Sequence, residues 1–109
     1  MVDTVAAMIE ANRTIYRDQA KVIPIMIKAT TRPKDAVEYA WKELTSHCVW
    51  SVNQGYDAKR TQWTIDDAVA NKYIAANKKP TVSQVFNESI ANEAVKSLGG
   101  PVKIGNCTE

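Results

Sequence analysis

The apolar positions of this chain recur mostly at steps of three and four, the spacing that lines one face of a helix. The clearest stretch is TRPKDAVEYAWKELTSHCVWSVNQG, residues 31–55. Val37, Trp41, Leu44, Cys48 and Val52 form one stripe there, with Glu38, Lys42, Glu43 and Thr45 on the outer side. Pro33 suits a first helical turn, Asp35 complements the positive end of the helix dipole, and Gly55 supplies a left-handed stop. The spacing therefore predicts one long central helix carrying a Trp, a Leu and a Cys toward a common core.

Two helices precede it. From Asp3, whose side chain suits a cap, Val5, Met8, Ile9 and Tyr16 share a face that Asn12 interrupts. After Asp18, Val22, Ile23, Met26, Ile27 and Thr30 keep helical spacing, and Ile25 and Ala29 widen the face, which predicts burial on more than one side. Pro24 lacks the N–H that would bond residue 20, so the two segments should meet at a kink or break between Arg17 and Lys21.

Beyond Gly55 the pattern predicts a helix over 57–71, which Asp57, Thr61 or Thr64 could each cap, with Ala58, Ile65, Ala68 and Val69 inward, then a polar connection over 74–80. Thr81 and Gln84 make a capping-box pattern for a short turn through Phe86. Ile90, Ala91, Ala94, Val95 and Leu98 mark a last helix, stopped by Gly99-Gly100-Pro101. The tail alternates Val102 and Ile104 with polar residues, as an extended segment does. No βαβ pattern occurs. The expected fold is all-α, four to five helices with an extended C-terminal tail, in a single helical domain over 1–109.

Composition changes this picture little. The chain has 109 residues, 24% charged and 45% hydrophobic, with a net charge of +2. That charge is too small to point to a nucleic acid or an acidic membrane as partner, and no apolar run is long enough to span a bilayer. No export signal is legible at the N-terminus.

Candidate chemistry is sparse. Ser46, His47 and Cys48 are consecutive, but neighbours on a helix point about 100° apart and do not converge on one substrate atom. His47 is the only histidine, which excludes a two-histidine metal site. Asp66-Asp67 meets the same geometric objection and reads as a solvated pair. No catalytic constellation, metal site, phosphate loop or cofactor motif stands out, so the expectation is a protein that is not an enzyme. Trp41 reads as core, while Trp50 and Trp63 are free to face a partner.

Cys48 and Cys107 match no zinc or redox spacing. Oxidised, they would tie the tail to the central helix; reduced, Cys48 is a buried structural thiol and Cys107 a free thiol in the tail.

The pieces RPKDAVEYAW, CVWSVNQG, RTQWTIDDAV, NKKPTVSQVFN and EAVKSLGGPVKIGN, in that order, resemble the C-terminal part of a bacterial substrate-binding protein of ABC importers of the nitrate, sulfonate, taurine and thiamine-precursor type. The resemblance runs from about Ile9 onward; Pro24 departs from it. It implies a fragment of a two-lobed periplasmic or extracellular solute-binding protein, which closes on a small solute and delivers it to an ABC permease. In such a protein these helices pack on the lobes, a structural role without a complete ligand cleft of their own. Alone they would expose apolar surface and associate as a homo-oligomer, with Ile23, Met26, Ile27 and Trp50 as the candidate interface. The alternative is a free-standing helical protein–protein interaction module.

Overall fold

The structure, a computed structural model, describes residues 1–55 and 57–109. Among them are six α-helices: α1 (Val2–Arg17), α2 (Gln19–Thr30), α3 (Lys34–Ser46), α4 (Ala58–Ala70), α5 (Val82–Val85) and α6 (Ser89–Ser97). A single 3-10 turn, Ala76–Lys78, lies between α4 and α5. The only β-type pairing among the described residues is an isolated antiparallel bridge between Ile104 and Cys107. The protein is all-α.

The break expected before Pro24 falls at Asp18. Its backbone leaves the helical region (φ −128°, ψ 69°), and its side chain accepts from the Lys21 N–H, so the residue that ends α1 also caps α2. Pro24 itself sits inside α2. Thr31 then turns into the left-handed region (φ 54°) and its N–H returns to the Ile27 carbonyl, closing α2 just ahead of Pro33. Pro33 is the extended residue from which α3 starts. Asp57 caps α4 through Lys59 and Arg60 N–H groups, and the Thr81–Gln84 capping box forms at α5 as its sequence pattern predicts.

Packing is pairwise: α1 lies on α6, α2 on α3 with a smaller contact to α1, and α4 on α5. The α1–α6 seam holds the tightest core, in which Ala6 and Ile9 meet Ala94 and Val95, flanked by Val2, Val5 and Leu98. Two small residues, Ala6 and Ala94, let the helix backbones approach closely there. A compact chain of this length has a radius of gyration of about 13 Å; here it is 17.2 Å, with extents of 51 × 33 × 24 Å. The accessible surface is 7825 Å², against roughly 6,000 Å² for a compact monomer of this mass.

Several sequence expectations are corrected by this packing. The central helix stops at Ser46, not near Gly55, because His47 leaves the helix and Cys48 takes a left-handed turn (φ 53°). Val52 therefore reaches the core from a loop and is fully buried, while Leu44 faces outward at 36% exposure. Gly55 is left-handed (φ 64°), and a Cβ there would run into the Ser51 side chain. The breadth of burial expected for α2 is also narrower: Val22 and Ile23 are inside, but Ile25 is exposed. Ala58 is exposed, leaving Ile65 as the buried residue of α4, and Met8 likewise projects from α1.

Candidate functional site

Two features stand out from the helical frame: a buried polar clasp that holds the C-terminal tail, and an open apolar groove between α2 and α3. The clasp begins with Arg13, which occupies the Ala6–Ile9 face of α1 one turn on and is 2% exposed. Its Nε donates to the Val52 carbonyl at 2.8 Å, and its Nη2 to the Gly100 carbonyl at 3.1 Å and Asn53 Oδ1 at 3.3 Å. Glu10, half-exposed, lies 3.9 Å from Nη1. Arg13 thus joins α1, the Val52–Asn53 segment after α3 and the end of α6.

Asn53 completes the clasp. Its Nδ2 donates to the carbonyls of Val102 (2.9 Å) and Thr108 (2.8 Å), while its Oδ1 accepts from the Val102 N–H (2.8 Å). The Val52 and Asn53 N–H groups both donate to the Glu109 backbone oxygen, at 2.6 and 3.0 Å. Among the described residues, every buried side-chain nitrogen and oxygen has a partner. A network satisfied in this way fixes one arrangement of the groups it joins.

A covalent bond reinforces it. Cys48 and Cys107 form a disulfide across 59 positions, with their Cα atoms 5.4 Å apart. The left-handed turn at Cys48 aims its side chain toward the tail, so the cysteine that the long-helix reading placed in the α3 stripe serves instead as the tail's anchor. Beside it, Tyr16 accepts from the Trp50 N–H (3.2 Å) and donates to the Trp50 carbonyl (2.7 Å), with the rings edge to face at 6.3 Å. Burial pushes the Tyr16 hydroxyl up from its ordinary value, the Trp50 hydrogen bond opposing in part. Asn12, read as an interruption of the α1 face, donates to the Ser51 carbonyl at 2.9 Å.

The groove is different in kind. About 430 Å³ in volume, it runs between α2 and α3 and is lined by Met26, Ala36, Val37, Ala40, Trp41 and Leu44, with Thr30 and Arg32 at its polar margin. Trp41 is half-buried, and its indole N–H is tied to the Ile15 carbonyl at 2.8 Å, which fixes the ring against α1.

Of the candidate interface residues, Met26 lines this groove and Ile27 is half-buried. Ile23 is inside the chain at 5% exposure, because it faces the helices that α2 packs against. Trp50 is half-buried on Tyr16. Ile23 is thus occupied within the chain, and Trp50 in part. Trp63, by contrast, is 67% exposed on α4, and Tyr73 after it is 83% exposed.

The titratable groups do not gather. His47 is exposed and lies 3.6 Å from Glu43. Lys79 pairs with Asp66, which Gln62 also bonds; these two hold the Asp66 carboxyl below its ordinary value. No group of three or more His, Cys, Asp and Glu among the described residues could hold a metal ion, and no helix among them is long and apolar enough to cross a membrane. A polar recess of about 270 Å³ beside the disulfide is lined by His47, Arg60, Asn106 and Glu109, and Arg60 closes on Glu109 at 2.7 Å. Comparisons with family models, with curated proteins and with solved structures found no match to this chain.

Proposed function

We propose that this chain is the C-terminal helical part of an ABC-importer solute-binding protein, with a structural packing role. The observation that carries the reading is the ordered run of segments from RPKDAVEYAW to EAVKSLGGPVKIGN. In this reading the small solute and the ABC permease belong to the whole two-lobed protein, and the chain itself catalyses no reaction.

Three structural facts support it. The surface left uncovered is large for a chain of this mass, as expected of helices shaped to cover something else. The α4–α5 arm has Ile65 as its one buried side chain among the described residues and exposes Trp63 and Tyr73. Large aromatic side chains left in solvent suit a surface that another body covers. The Cys48–Cys107 disulfide suits an exported protein, since such bonds persist in oxidising compartments; periplasmic or extracellular residence follows from the same reading.

A free-standing helical interaction module is the second reading, favoured by the α2–α3 groove alone. Calorimetric titration of small anions, amines and pyrimidines into the chain tests the first. The expected result is no saturable heat. Tight one-to-one binding of any of these would show that the chain forms a complete solute site and overturn the packing role.

A further inference from the structure

We infer that the C-terminal tail is a strap that holds the α4–α5 arm against the body of the chain, and that thiol–disulfide exchange at Cys48 releases it. The arm leaves the body after Gly55 and returns at Phe86 and Asn87, and its two helices pack on each other. Among the described residues, the hydrogen bonds and ion pairs of residues 58–85 stay within the arm and its own two connections, with one exception. Arg60 Nη1 reaches Glu109 Oε2 at 2.7 Å. Open space of about 660 Å³ at the arm's return, lined by Gln62, Thr81, Phe86 and Asn87, leaves room for a pivot.

Two restraints meet at Glu109. Its backbone oxygen accepts from the Val52 and Asn53 N–H groups, and Cys107, two residues before it, is bonded to Cys48. Both keep the Glu109 side chain beside the first turn of α4. Arg60 and Glu109 are exposed, so their pairing is weak by itself and changes an open-to-closed ratio by only about fivefold. It acts because the tail presents Glu109 at high effective concentration. An arm tied this lightly opens as a unit while the rest of the chain stays folded.

The disulfide is open to exchange. Two recesses flank it, of about 270 and 370 Å³, each lined by both cysteines. Cys48 is half-buried, whereas Cys107 is 5% exposed. A thiolate of a dithiol reductant therefore attacks Cys48 Sγ. The bond to Cys107 breaks, a mixed disulfide forms on Cys48, and the Cys107 thiolate leaves and takes a proton. The reductant's second thiolate then closes its own disulfide and frees Cys48, which takes the other proton. The protein gains two electrons and two protons, and the dithiol is oxidised. The tail loses its covalent anchor, and Glu109 spends less time beside Arg60.

Residual dipolar couplings of the whole isotope-labelled chain test this, independently of the transporter reading. Oxidised, α4 should share one alignment tensor with α1, α3 and α6. With dithiothreitol, those three helices should keep a common tensor while the alignment of α4 falls about twofold, as the arm averages over several positions. Glu109→Gln, with the disulfide intact, should produce the same fall in α4, and dithiothreitol should then add little. One tensor for arm and body after reduction would overturn the proposal. So would a Glu109→Gln chain whose arm stays fixed, or an oxidised chain whose arm already averages independently. Where reduction also disturbs α1, α3 and α6, Glu109→Gln decides by the same two outcomes.

Discussion

Arg13 donates to Asn53 across 40 residues of sequence, and between them the two side chains hold α1, the connection after α3, the end of α6 and the tail in one arrangement. Neither is at the surface, and their hydrogen bonds are largely to main-chain oxygens. Removing Arg13 leaves the Val52 and Gly100 carbonyls and Asn53 Oδ1 short of a donor in a buried setting. Arg13→Met should therefore cost about 2–4 kcal/mol of stability, read from the urea midpoint. Arg13→Lys should recover only part of that, because an ammonium cannot reach three divergent acceptors with a planar fork.

The disulfide gives a prediction of its own. Joining residues 59 apart removes denatured-state entropy worth roughly 4 kcal/mol in the loop-closure model. Reduction, or Cys107→Ser with Cys48→Ser, should lower the melting temperature with most helical circular dichroism retained. Hydrogen exchange should speed up first at Val102 and Cys107, whose N–H groups bond Asn53 Oδ1 and the Ile104 carbonyl of the tail's own bridge.

Tyr16 sets a pH dependence. Its folded pKa is raised above the unfolded value near 10, chiefly by burial, so the neutral hydroxyl is the form the folded state prefers. That preference is fully present below pH 10 and is lost as pH rises through the folded pKa. Stability should fall on the alkaline side, and Tyr16→Phe should remove this step while costing about 1 kcal/mol at neutral pH for the lost Trp50 hydrogen bonds.

Asp66 acts at the other end of the scale. The Lys79 and Gln62 contacts lower its pKa from 3.8, so its contribution is present above that value and is lost as pH falls through the lower folded pKa. The group is exposed, and the effect should be small and salt-sensitive. Asp66→Asn should flatten the acid limb of the stability curve slightly, and added salt should do the same to the unaltered chain.

Helix existence was legible along the chain, and so were several of the helix starts. Asp18, Pro33, Asp57 and the Thr81–Gln84 pair each act through local geometry that a short window contains. The α6 stripe was equally plain, because Ala94 and Val95 pack on one partner with a simple period.

What failed was the length of α3. Trp41, Leu44, Cys48 and Val52 keep helical spacing by residue type, but Cys48 is claimed by Cys107 and the Val52–Asn53 backbone by Glu109. Those are long-range partners that no local period announces. Asn53 itself looked like a helix-ending residue and is the centre of the clasp. Arg13 did leave a trace: a charged residue stands on the stripe of Ala6 and Ile9, where the period calls for an apolar one. A charge at a core position is a sign that buried acceptors await it.

The transporter reading is tested most directly by sequencing the genomic locus that encodes this chain. The expected result is coding sequence for two α/β lobes in frame upstream, with genes for an ABC permease and its ATPase alongside. A locus with neither, in which the chain is translated by itself, would contradict it.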